Sequence, residues 1–320
     1  MKSIQSFCPL WGVWEAEMKL GAGSFGAVWK MRREDIDGKV YYAAVKHISI
    51  PYDESEIQHL LEEGIFSNEQ SVGIYYKNIL HSLTEEIEVM RTIQGYTNIV
   101  TYEDHLILTK KDSVGYDLFV RMELLTPLTS RMRQEMTTED VVSLGKDIAT
   151  AIDILNAHHL VHPDIKPQNI FVNDTGDYKL GDYGTARALE TDATAMSRKG
   201  FHNYIAPEIY NGQKADIRVD IYSLGLVLYR LMNGNRLPFL PLTGDITSSQ
   251  NEEAFLRRIS GEKLPAPRYA DEKLSRIILR ACAYDPKARY HSGSELKKDL
   301  ISYQENNSTA AQESEKKNGH

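Results

Sequence analysis

The chain has 320 residues, of which 42% are hydrophobic and 26% are charged, so it can bury the core of one large domain or of two lobes. Its net charge of −8 argues against general binding to nucleic acid or to anionic membranes, because both need a basic surface. The two cysteines, Cys8 and Cys282, lie far apart and suggest neither a disulfide framework nor a zinc site, which favours a reducing, cytoplasmic compartment. No apolar run has the length of a signal peptide or a membrane span, so we expect a soluble protein with no membrane segment in this chain.

The first part of the chain predicts an antiparallel meander. Three strands are predicted, at residues 14–20, 27–33 and 40–48, with glycines or Asp37-Gly38 between them. Helical spacing of apolar residues follows over 84–93, and residues 118–125 return to a strand-like apolar run. These elements predict a β-rich lobe over residues 1–125.

After Pro127 the apolar residues recur at helical spacing instead of in strand-like runs. Thr137 or Thr138 can cap a long helix with an apolar stripe that starts at Val141. Further helices are predicted at residues 219–232, 251–259, 271–283 and 293–305. A strand-rich part followed by a helix-rich part, 126–305, implies two lobes with a cleft between them. The tail 306–320 is polar and without periodicity, so we predict that it is disordered.

An acid, a lysine and an amide stand at fixed offsets in residues 162–169, which read His-Pro-Asp-Ile-Lys-Pro-Gln-Asn. Asp164 can accept the proton of an attacking hydroxyl, Lys166 can neutralise a moving phosphoryl group, and Asn169 can hold a magnesium ion. Asp182, thirteen residues later, opens the sequence Asp-Tyr-Gly and can supply the other metal ligand. The pattern of His162, Asp164, Lys166 and Asn169 arises by chance only about two times in a thousand, so it strongly indicates phosphoryl transfer.

Residues 21–28 read Gly-Ala-Gly-Ser-Phe-Gly-Ala-Val and lie between two predicted strands. Glycines let a backbone fold over phosphates and direct N–H groups at them, which makes this segment a candidate phosphate lid. The candidate residues are Gly21, Gly23, Ser24, Phe25 and Gly26. Alone the pattern is weak, and a dinucleotide-binding fingerprint is the alternative. Such a fingerprint opens a helix, whereas residues 27–33 alternate as a strand does, which favours a hairpin lid.

Lys46 follows Ala43, Ala44 and Val45 in an otherwise apolar predicted strand. A bare ammonium group is costly to bury, so this lysine needs an anion. For an isolated lysine, a strand end that reaches solvent would be the better interpretation. The accompanying motifs reverse that preference.

Together these motifs resemble those of eukaryotic-type (Hanks-type) serine/threonine protein kinases, and residues 219–241 are similar to bacterial members. The resemblance covers roughly residues 14–300. It implies an α+β, bilobal protein-kinase-like fold, with a small antiparallel β lobe that carries one helix and inserted helices, and a larger, mainly helical lobe. It also implies an enzyme that uses ATP and Mg²⁺, with Mn²⁺ as an alternative metal, to phosphorylate serine and threonine hydroxyls of proteins.

The resemblance assigns roles to individual residues. Asp164 is the base and Lys166 stabilises charge, while Asn169 and Asp182 hold the metal. Lys46 holds phosphates of ATP and pairs with a helix glutamate, for which Glu86 is preferred and Glu85 and Glu88 remain alternatives. The residues implied around the adenine are Val28, Ala44, Met122, Glu123, Leu125 and Phe171. Apolar strand residues are usually core, and only the surrounding motifs make these a pocket.

Three features of the large lobe support a protein kinase over a small-molecule kinase: Ala206-Pro207-Glu208, Asp220 and Arg289. By resemblance, Glu208 and Arg289 form a buried ion pair, and Asp220 holds the segment around Asp164 from beneath. A buried acid without a partner would be costly, so the pairing is physically reasonable.

The separation between Lys46 and Glu86 is forty residues, about twice that usual in the family. We therefore interpret residues 51–81 as an insertion of one or two extra helices near the small lobe. A surface elaboration is the favoured interpretation, because long insertions are often tolerated. A regulatory or partner-binding element that presses on the helix of Glu86 is the alternative.

Two departures from the family pattern stand near the candidate site. Pro163 replaces an arginine that normally grips a phosphate, so we predict that phosphorylation between Asp182 and Glu208 is not needed through that contact. Phe201 stands where serine/threonine kinases usually have a threonine. These departures motivate a rival interpretation, a pseudokinase-like nucleotide-binding signalling module, although every catalytic position is filled.

The expected partners are protein substrates, which the sequence does not identify. We expect no nucleic acid and no membrane as a partner of this chain. A homodimer through the small lobe, common among similar bacterial kinases, remains open.

Overall fold

The computed structural model describes residues 3–23, 26–53, 55–111, 113–134, 136–162, 164–182, 187–188, 203–214 and 216–318. The chain divides into two compact units. The first comprises Met1–Gly95 and Val100–Leu125, and the second comprises Tyr96–Ile99 and Thr126–His320. Residues 96–99 group with the second unit because Ile99 bridges to Leu180 and the Asn98 amide donates to the Tyr178 carbonyl at 3.0 Å.

A five-stranded antiparallel sheet forms most of the first unit, with the strand order β1-β2-β3-β5-β4. The strands are β1 (Glu15–Gly23), β2 (Gly26–Glu34), β3 (Val40–Ile50), β4 (Tyr102–Thr109) and β5 (Tyr116–Met122). Strand β4 has no counterpart among the predicted strands, because Glu103 and Asp104, residue types depleted in sheets, occupy its start.

The two faces of this sheet have different neighbours. On one face, Met31, Ala43, Val45 and Phe119 pack against the N-terminal segment. That segment contains a 3-10 helix, Ile4–Phe7, and buries Ile4, Leu10 and Trp14. Because side chains alternate along a strand, Lys46 and its cross-strand neighbours Val28 and Val120 lie on the opposite face.

Two helices, α1 (Ser55–Glu62) and α2 (Glu69–Thr92), follow β3. The prediction of inserted helices that precede a separate helix with Glu86 needs correction, since α2 is one helix of 24 residues that includes both. Asn68 and Ser71 form a capping box that begins α2, and the buried Val72, Tyr76 and Ile87 lie along the helix. Apolar residues at helical spacing continue along α2 and no proline interrupts them, which explains why the insertion extends the helix despite Gly73.

The second unit is mainly helical. Its helices are α3 (Leu128–Arg131), α4 (Thr138–Ala157), α5 (Pro207–Tyr210), α6 (Arg218–Leu231), α7 (Ser248–Ile259), α8 (Glu272–Ala281) and α9 (Gly293–Asn318). Helix α6 is central, because every residue from Val219 to Tyr229 is buried and both α4 and α8 pack against it. A capping box between Thr137 and Asp140 begins α4, as the sequence predicts.

The segments between these helices contain short β-strands. They are β6 (Thr126–Pro127), β7 (Leu160–Val161), β8 (Ile170–Val172), β9 (Tyr178–Leu180) and β10 (Arg187–Ala188). Strands β6, β8 and β9 form one antiparallel sheet, and β7 pairs with β10.

Helix α9 continues beyond Asn306 to Asn318, whereas the sequence predicts disorder from residue 306. The segment beyond Asn306 contains alanine, glutamate, glutamine and lysine, which are strong helix formers, so helical propensity replaces the missing apolar stripe. Among the described residues, no helix combines the length and the apolar character needed to cross a membrane.

Candidate active site

The second unit holds Asp164, Lys166 and Asn169 in one local cluster. The Lys166 ammonium lies 2.6 Å from the Asp164 carboxylate, and both side chains are partly buried. The Asn169 amide donates to the main-chain oxygen of Asp164 at 2.9 Å and to its carboxylate at 3.2 Å. A 3-10 helix, Pro167–Asn169, turns the chain back so that residues five apart in sequence meet. The structure therefore brings together the acid, the lysine and the amide that the spacing singles out.

His162 and Asp220 hold this cluster from the interior. The His162 main-chain N–H donates to the Asp220 carboxylate at 2.9 Å, and its ring Nε2 lies 3.2 Å from the Gly181 carbonyl. Burial lowers the pKa of His162, so its imidazole is neutral at pH 7 and His162 has a structural role. Burial raises the pKa of Asp220 to about 8, although the hydrogen bond from His162 opposes the shift.

Asp182 stands two residues after β9. The N–H of Gly181 donates to the Asn169 carbonyl at 2.9 Å, which ties the chain before Asp182 to the segment that contains Asp164, Lys166 and Asn169. Asp182 is exposed and has a φ of 59°, a left-handed conformation that aspartate tolerates better than most residues. A main-chain bond therefore joins the segments that contain the two predicted metal ligands.

Oxygen donors of this kind suit a hard divalent cation. The Asn169 amide nitrogen donates to Asp164, so the amide oxygen is the atom that can ligate a metal. Among the described residues, no three His, Cys, Asp or Glu side chains cluster as a metal cage. One amide and one carboxylate fit a cation such as Mg²⁺, which usually takes its other ligands from water and substrate phosphates.

Lys46 lies in the interior of β3, opposite Val28 on β2 and Val120 on β5. Strand β3 continues four residues further to Ile50, and Lys46 is half-buried. Lys46 is therefore not a strand end that reaches solvent. It sits on an apolar sheet face, where a cation needs an anionic neighbour.

The three candidate glutamates of α2 differ in exposure. The Glu85 side chain is 69% exposed and lies 3.6 Å from His81, and the Glu88 side chain is 63% exposed and lies 2.9 Å from Arg91. Glu86 is half-buried and precedes the buried Ile87. Since α2 packs against β3, the structure favours Glu86 as the glutamate that faces the sheet.

The glycine segment forms the hairpin between β1 and β2 and opens no helix. This geometry excludes the dinucleotide-binding alternative. Gly26 has a φ of 151°, and a Cβ there would lie 2.0 Å from the His47 carbonyl oxygen, so no other residue fits. Gly21, by contrast, faces open space, and Gly23 pairs with Gly26 at the hairpin end.

The predicted adenine residues fall in both units. Ala44 on β3 pairs with Met122 on β5, which puts both on the same sheet face as Val28 and Lys46. Glu123 and Leu125 follow β5, and the Glu123 carboxylate accepts the Thr101 N–H at 2.6 Å. Phe171 belongs to the second unit, where it pairs with Lys179 and Pro127.

Several residues of the sequence argument lie outside the described residues. They are Ser24, Phe25, Pro163, Tyr183 and Phe201.

The Glu208–Arg289 pair has the geometry of a buried two-pronged ion pair. Arg289 is fully buried, and its two terminal nitrogens lie 2.6 and 2.8 Å from the Glu208 oxygens. It also donates to the carbonyls of Ala283, Arg218 and Tyr284. A single guanidinium therefore joins the main chain at Arg218, Ala283 and Tyr284 to the side chain of Glu208 in α5.

Arg258 is a structural residue that the sequence argument missed. It is 3% exposed and donates to the carbonyls of Asn203 and Ile205 at 2.8 and 2.9 Å. Its position was readable, because Arg258 follows Ala254 and Phe255 by four and three residues and so lies on the apolar stripe of α7.

Comparisons with known proteins show which family and which relatives the chain resembles. The sequence profile of the family described as protein kinase domain matches residues 14–301. The serine/threonine-protein kinase TIO of Arabidopsis thaliana is 32% identical over 216 residues, which are 67% of this chain and 14% of that protein. The serine/threonine-protein kinase PknB of Mycolicibacterium smegmatis is 32% identical over 166 residues, or 50% of this chain and 25% of that protein. A probable serine/threonine-protein kinase PknB of Lactococcus lactis is 28% identical over 188 residues, or 57% of this chain and 29% of that protein. The chain therefore spans less than a third of the length of each of these curated relatives.

Proposed function

This chain belongs to the protein kinase domain family, and from that premise we propose that it transfers the γ-phosphoryl group of ATP to serine and threonine hydroxyls of protein substrates. The family uses ATP and a divalent metal ion, and we propose Mg²⁺ as that ion, with Mn²⁺ as a substitute. The serine/threonine assignment is supported by Lys166, two residues after Asp164, and by the names of the relatives.

The cluster of Asp164, Lys166 and Asn169 is the observation that carries this proposal. An aspartate held by a lysine at 2.6 Å and by an amide at 3.2 Å has a fixed orientation before any substrate binds. Preorganised charges of this kind cost no rearrangement at the moment of reaction. A cluster that served only stability would not need an acid and a lysine that both remain partly exposed.

In this mechanism Asp164 accepts the proton of the substrate hydroxyl as the hydroxyl oxygen attacks the γ-phosphorus of ATP, and the bond from that phosphorus to the bridging oxygen breaks to release ADP. Lys166, already beside Asp164, offsets negative charge on the phosphoryl group in transit. Lys46 and Glu86 position the phosphates of ATP on the sheet face opposite the N-terminal segment. A bound divalent cation would neutralise charge on the phosphates, and the oxygens of Asn169 and Asp182 are the groups that would hold it.

Phosphate transfer from radiolabelled ATP to a protein acceptor tests the proposal. We expect transfer by the wild-type chain and a loss of about 10²- to 10⁴-fold in Asp164→Asn, the range for removing a general base. Asp174→Asn is the matched control, because Asp174 is an exposed aspartate in the turn after β8 and should leave the rate unchanged.

Two further measurements distinguish the possible outcomes. ATP binding should persist in Asp164→Asn, because Asp164 acts on the hydroxyl rather than on the nucleotide. Acid hydrolysis of the labelled acceptor should yield phosphoserine and phosphothreonine, and phosphotyrosine alone would refute the substrate class. ATP binding without transfer in the wild type would instead support a nucleotide-binding signalling module.

A further inference from the structure

Large apolar side chains are exposed at the turn between α1 and α2 and at the start of α2. Ile65, Ile74 and Tyr75 are 56%, 58% and 39% exposed. The Phe66 ring lies beside the Tyr75 ring, with centroids 5.2 Å apart, which joins the turn to the helix. We call Ile65, Phe66, Ile74 and Tyr75 the α1–α2 surface. A single exposed apolar residue is ordinary, but a group joined in this way indicates a contact surface for a partner.

The chain beneath the α1–α2 surface is well ordered by hydrogen bonds. The N–H groups of Ile65 and Phe66 both donate to the Leu60 carbonyl, at 3.1 and 3.3 Å, so the turn folds back onto the end of α1. Tyr76 is fully buried, and its hydroxyl donates to Glu56 of α1 at 3.2 Å, which joins the two helices. The surface is therefore formed before any partner binds, and a preformed surface loses little conformational entropy on binding.

Negative charge surrounds the α1–α2 surface. Glu62 and Glu63 stand directly before the turn and Glu69 stands directly after it, and all three are exposed. Glu63 lies 3.6 Å from the exposed His59, whereas among the described residues neither Glu62 nor Glu69 has a cationic partner. In sequence, residues 51–81 contain six acids and a single lysine or arginine. An occupant of this surface therefore meets an excess of carboxylates.

The cations nearby do not balance these carboxylates. That single lysine, Lys77, stands one turn after Ile74. The loop between β4 and β5 also contains lysines, but it passes α2 on another side. Its Val114 lies against Gly73, about 200° around the helix from Tyr75. The α1–α2 surface is thus bordered by three acids and one lysine.

We propose that the α1–α2 surface binds a basic amphipathic helical segment of a partner protein. The apolar side chains of that segment pack on Ile74 and Tyr75, and its lysines or arginines meet Glu62 and Glu69. Nucleic acids and anionic membranes do not fit, because they would bring like charge to the carboxylates. A second copy of this chain does not fit either, because a two-fold contact would place the same acids against each other.

A partner at this place also acts on Glu86. Helix α2 continues without a break from Glu69 to Thr92, so Ile74 and Glu86 are twelve residues, or about 18 Å, apart on one helix. A partner that holds the first half of α2 therefore restrains the second half. This regulatory role rests on the proposed function, in which Glu86 positions the phosphates of ATP, whereas the binding itself does not.

Fluorescence anisotropy of a labelled 14-residue peptide tests the binding, with the full chain at physiological ionic strength. The peptide has leucines at helical spacing and lysines at its other positions. We expect saturable binding with a Kd on the order of 10 μM. A peptide with glutamate in place of lysine should bind at least about tenfold more weakly, because the carboxylates of the surface repel it. A peptide with serine in place of leucine should also bind at least about tenfold more weakly, because it buries no apolar side chain.

Apolar variants locate the binding on the chain. Ile65→Ser with Ile74→Ser should weaken binding of the lysine peptide at least about tenfold, because it removes apolar contact area. Ile36→Ser is the matched control, since Ile36 is fully exposed in the turn between β2 and β3 of the same unit and should bind as the wild type does. All three side chains are exposed, so both variants should keep the melting temperature of the wild type.

Charge variants test the role of the carboxylates. Glu62→Gln with Glu63→Gln should weaken the lysine peptide about 3- to 10-fold and reduce the dependence of its Kd on salt. Glu252→Gln with Glu253→Gln is the matched control, because it removes two adjacent exposed acids from α7 in the second unit. This control should bind as the wild type does.

Three results would overturn the proposal: no saturable binding up to about 200 μM protein, equal binding of the lysine and glutamate peptides, or unchanged binding in Ile65→Ser with Ile74→Ser. Sedimentation tests the other occupant, and a dimer of the wild type that this double variant abolishes would assign the surface to a second copy instead.

Hydrogen exchange tests the regulatory role. The lysine peptide should slow amide exchange at residues 84–92 as well as at 69–80, and unaltered exchange at 84–92 at saturation would refute the coupling to Glu86. Binding and exchange are both measured without phosphoryl transfer, so their failure is distinct from a failure of the proposed function.

Discussion

Replacing Glu208 with leucine would leave the Arg289 guanidinium buried without its carboxylate. Arg289 is fully buried and Glu208 is 6% exposed, so water cannot take the place of the lost partner. Breaking a buried ion pair of this kind typically costs about 3–5 kcal/mol of the free energy of unfolding. This is a large share of the roughly 5–15 kcal/mol that stabilises a typical domain.

The size of the effect depends on the charge that remains. Arg289 keeps its bonds to the carbonyls of Ala283, Arg218 and Tyr284, but none of these neutral groups balances its charge. For a unit of this size, the expected loss corresponds to a fall in the melting temperature of about 6–20 °C. Removing both charges, in Glu208→Leu with Arg289→Met, leaves no unpaired ion. The double variant should therefore be less destabilised than the sum of the single variants by at least about 2 kcal/mol.

The coupling between Glu208 and Arg289 is measured by chemical and thermal denaturation. The proteins compared are the wild type, the two single variants and the double variant. Glu262→Gln is the control, because it removes the carboxylate of an exposed ion pair with Arg257 in the same unit and should leave the melting temperature near that of the wild type. Additive losses, within about 0.5 kcal/mol, would refute the claim that the pair acts as a unit. If Glu208→Leu lowered the melting temperature as little as Glu262→Gln does, the claim that the Glu208–Arg289 pair is buried would be refuted.

Three more predictions follow from individual positions. Gly26→Ala should destabilise the first unit and abolish ATP binding, because its Cβ would lie 2.0 Å from a carbonyl oxygen, whereas Gly21→Ala should fold normally; equal melting temperatures would contradict the hairpin geometry. Glu86→Gln should lower kcat about tenfold or more, while Glu85→Gln should not. A larger loss in Glu85→Gln than in Glu86→Gln would mean that Glu85 is the glutamate that faces the sheet. Asp220 holds its proton up to about pH 8 in the folded chain but only to about 3.8 when unfolded. The free energy of unfolding of the wild type should therefore fall as the pH rises from about 3.8 to about 8, because the unfolded chain loses this proton first. Asp220→Asn should lack this part of the pH dependence, and identical profiles of unfolding free energy against pH in the two proteins would contradict the reasoning.

Much of the fold could be read from periodicity. The alternation over residues 27–33 and 40–48 corresponds to β2 and β3, and the stripe after Thr137 corresponds to α4. The merging of the insertion with the helix of Glu86 could not be read in this way, because a helical period does not reveal where one helix ends unless a breaker marks it. The N-terminal segment was missed as well, since Ile4 and Leu10 become core residues only through contact with distant strands.

The candidate site also has residues that the sequence predicts and residues that only the structure identifies. Short-range spacing was enough for Asp164, Lys166 and Asn169, because a single turn of the chain brings them together. Spacing left three glutamates open for the partner of Lys46, and burial on α2 favoured Glu86. The place of Arg258 on the apolar stripe of α7 could be read locally, but its partners Asn203 and Ile205 lie more than fifty positions away, so no local pattern identifies them.

The sequence by itself predicted which residues would carry the chemistry, because phosphoryl transfer needs an acid, a lysine and oxygen ligands at offsets that one loop enforces. It also determined the family, since those offsets recur with the glycine segment and Lys46 along 14–301. Only the tertiary structure decided which charges are buried and which partners they meet. The pKa of Asp220, the pairing of Arg289 and the burial of Arg258 all depend on packing among residues remote in sequence, which sets how far each group is desolvated.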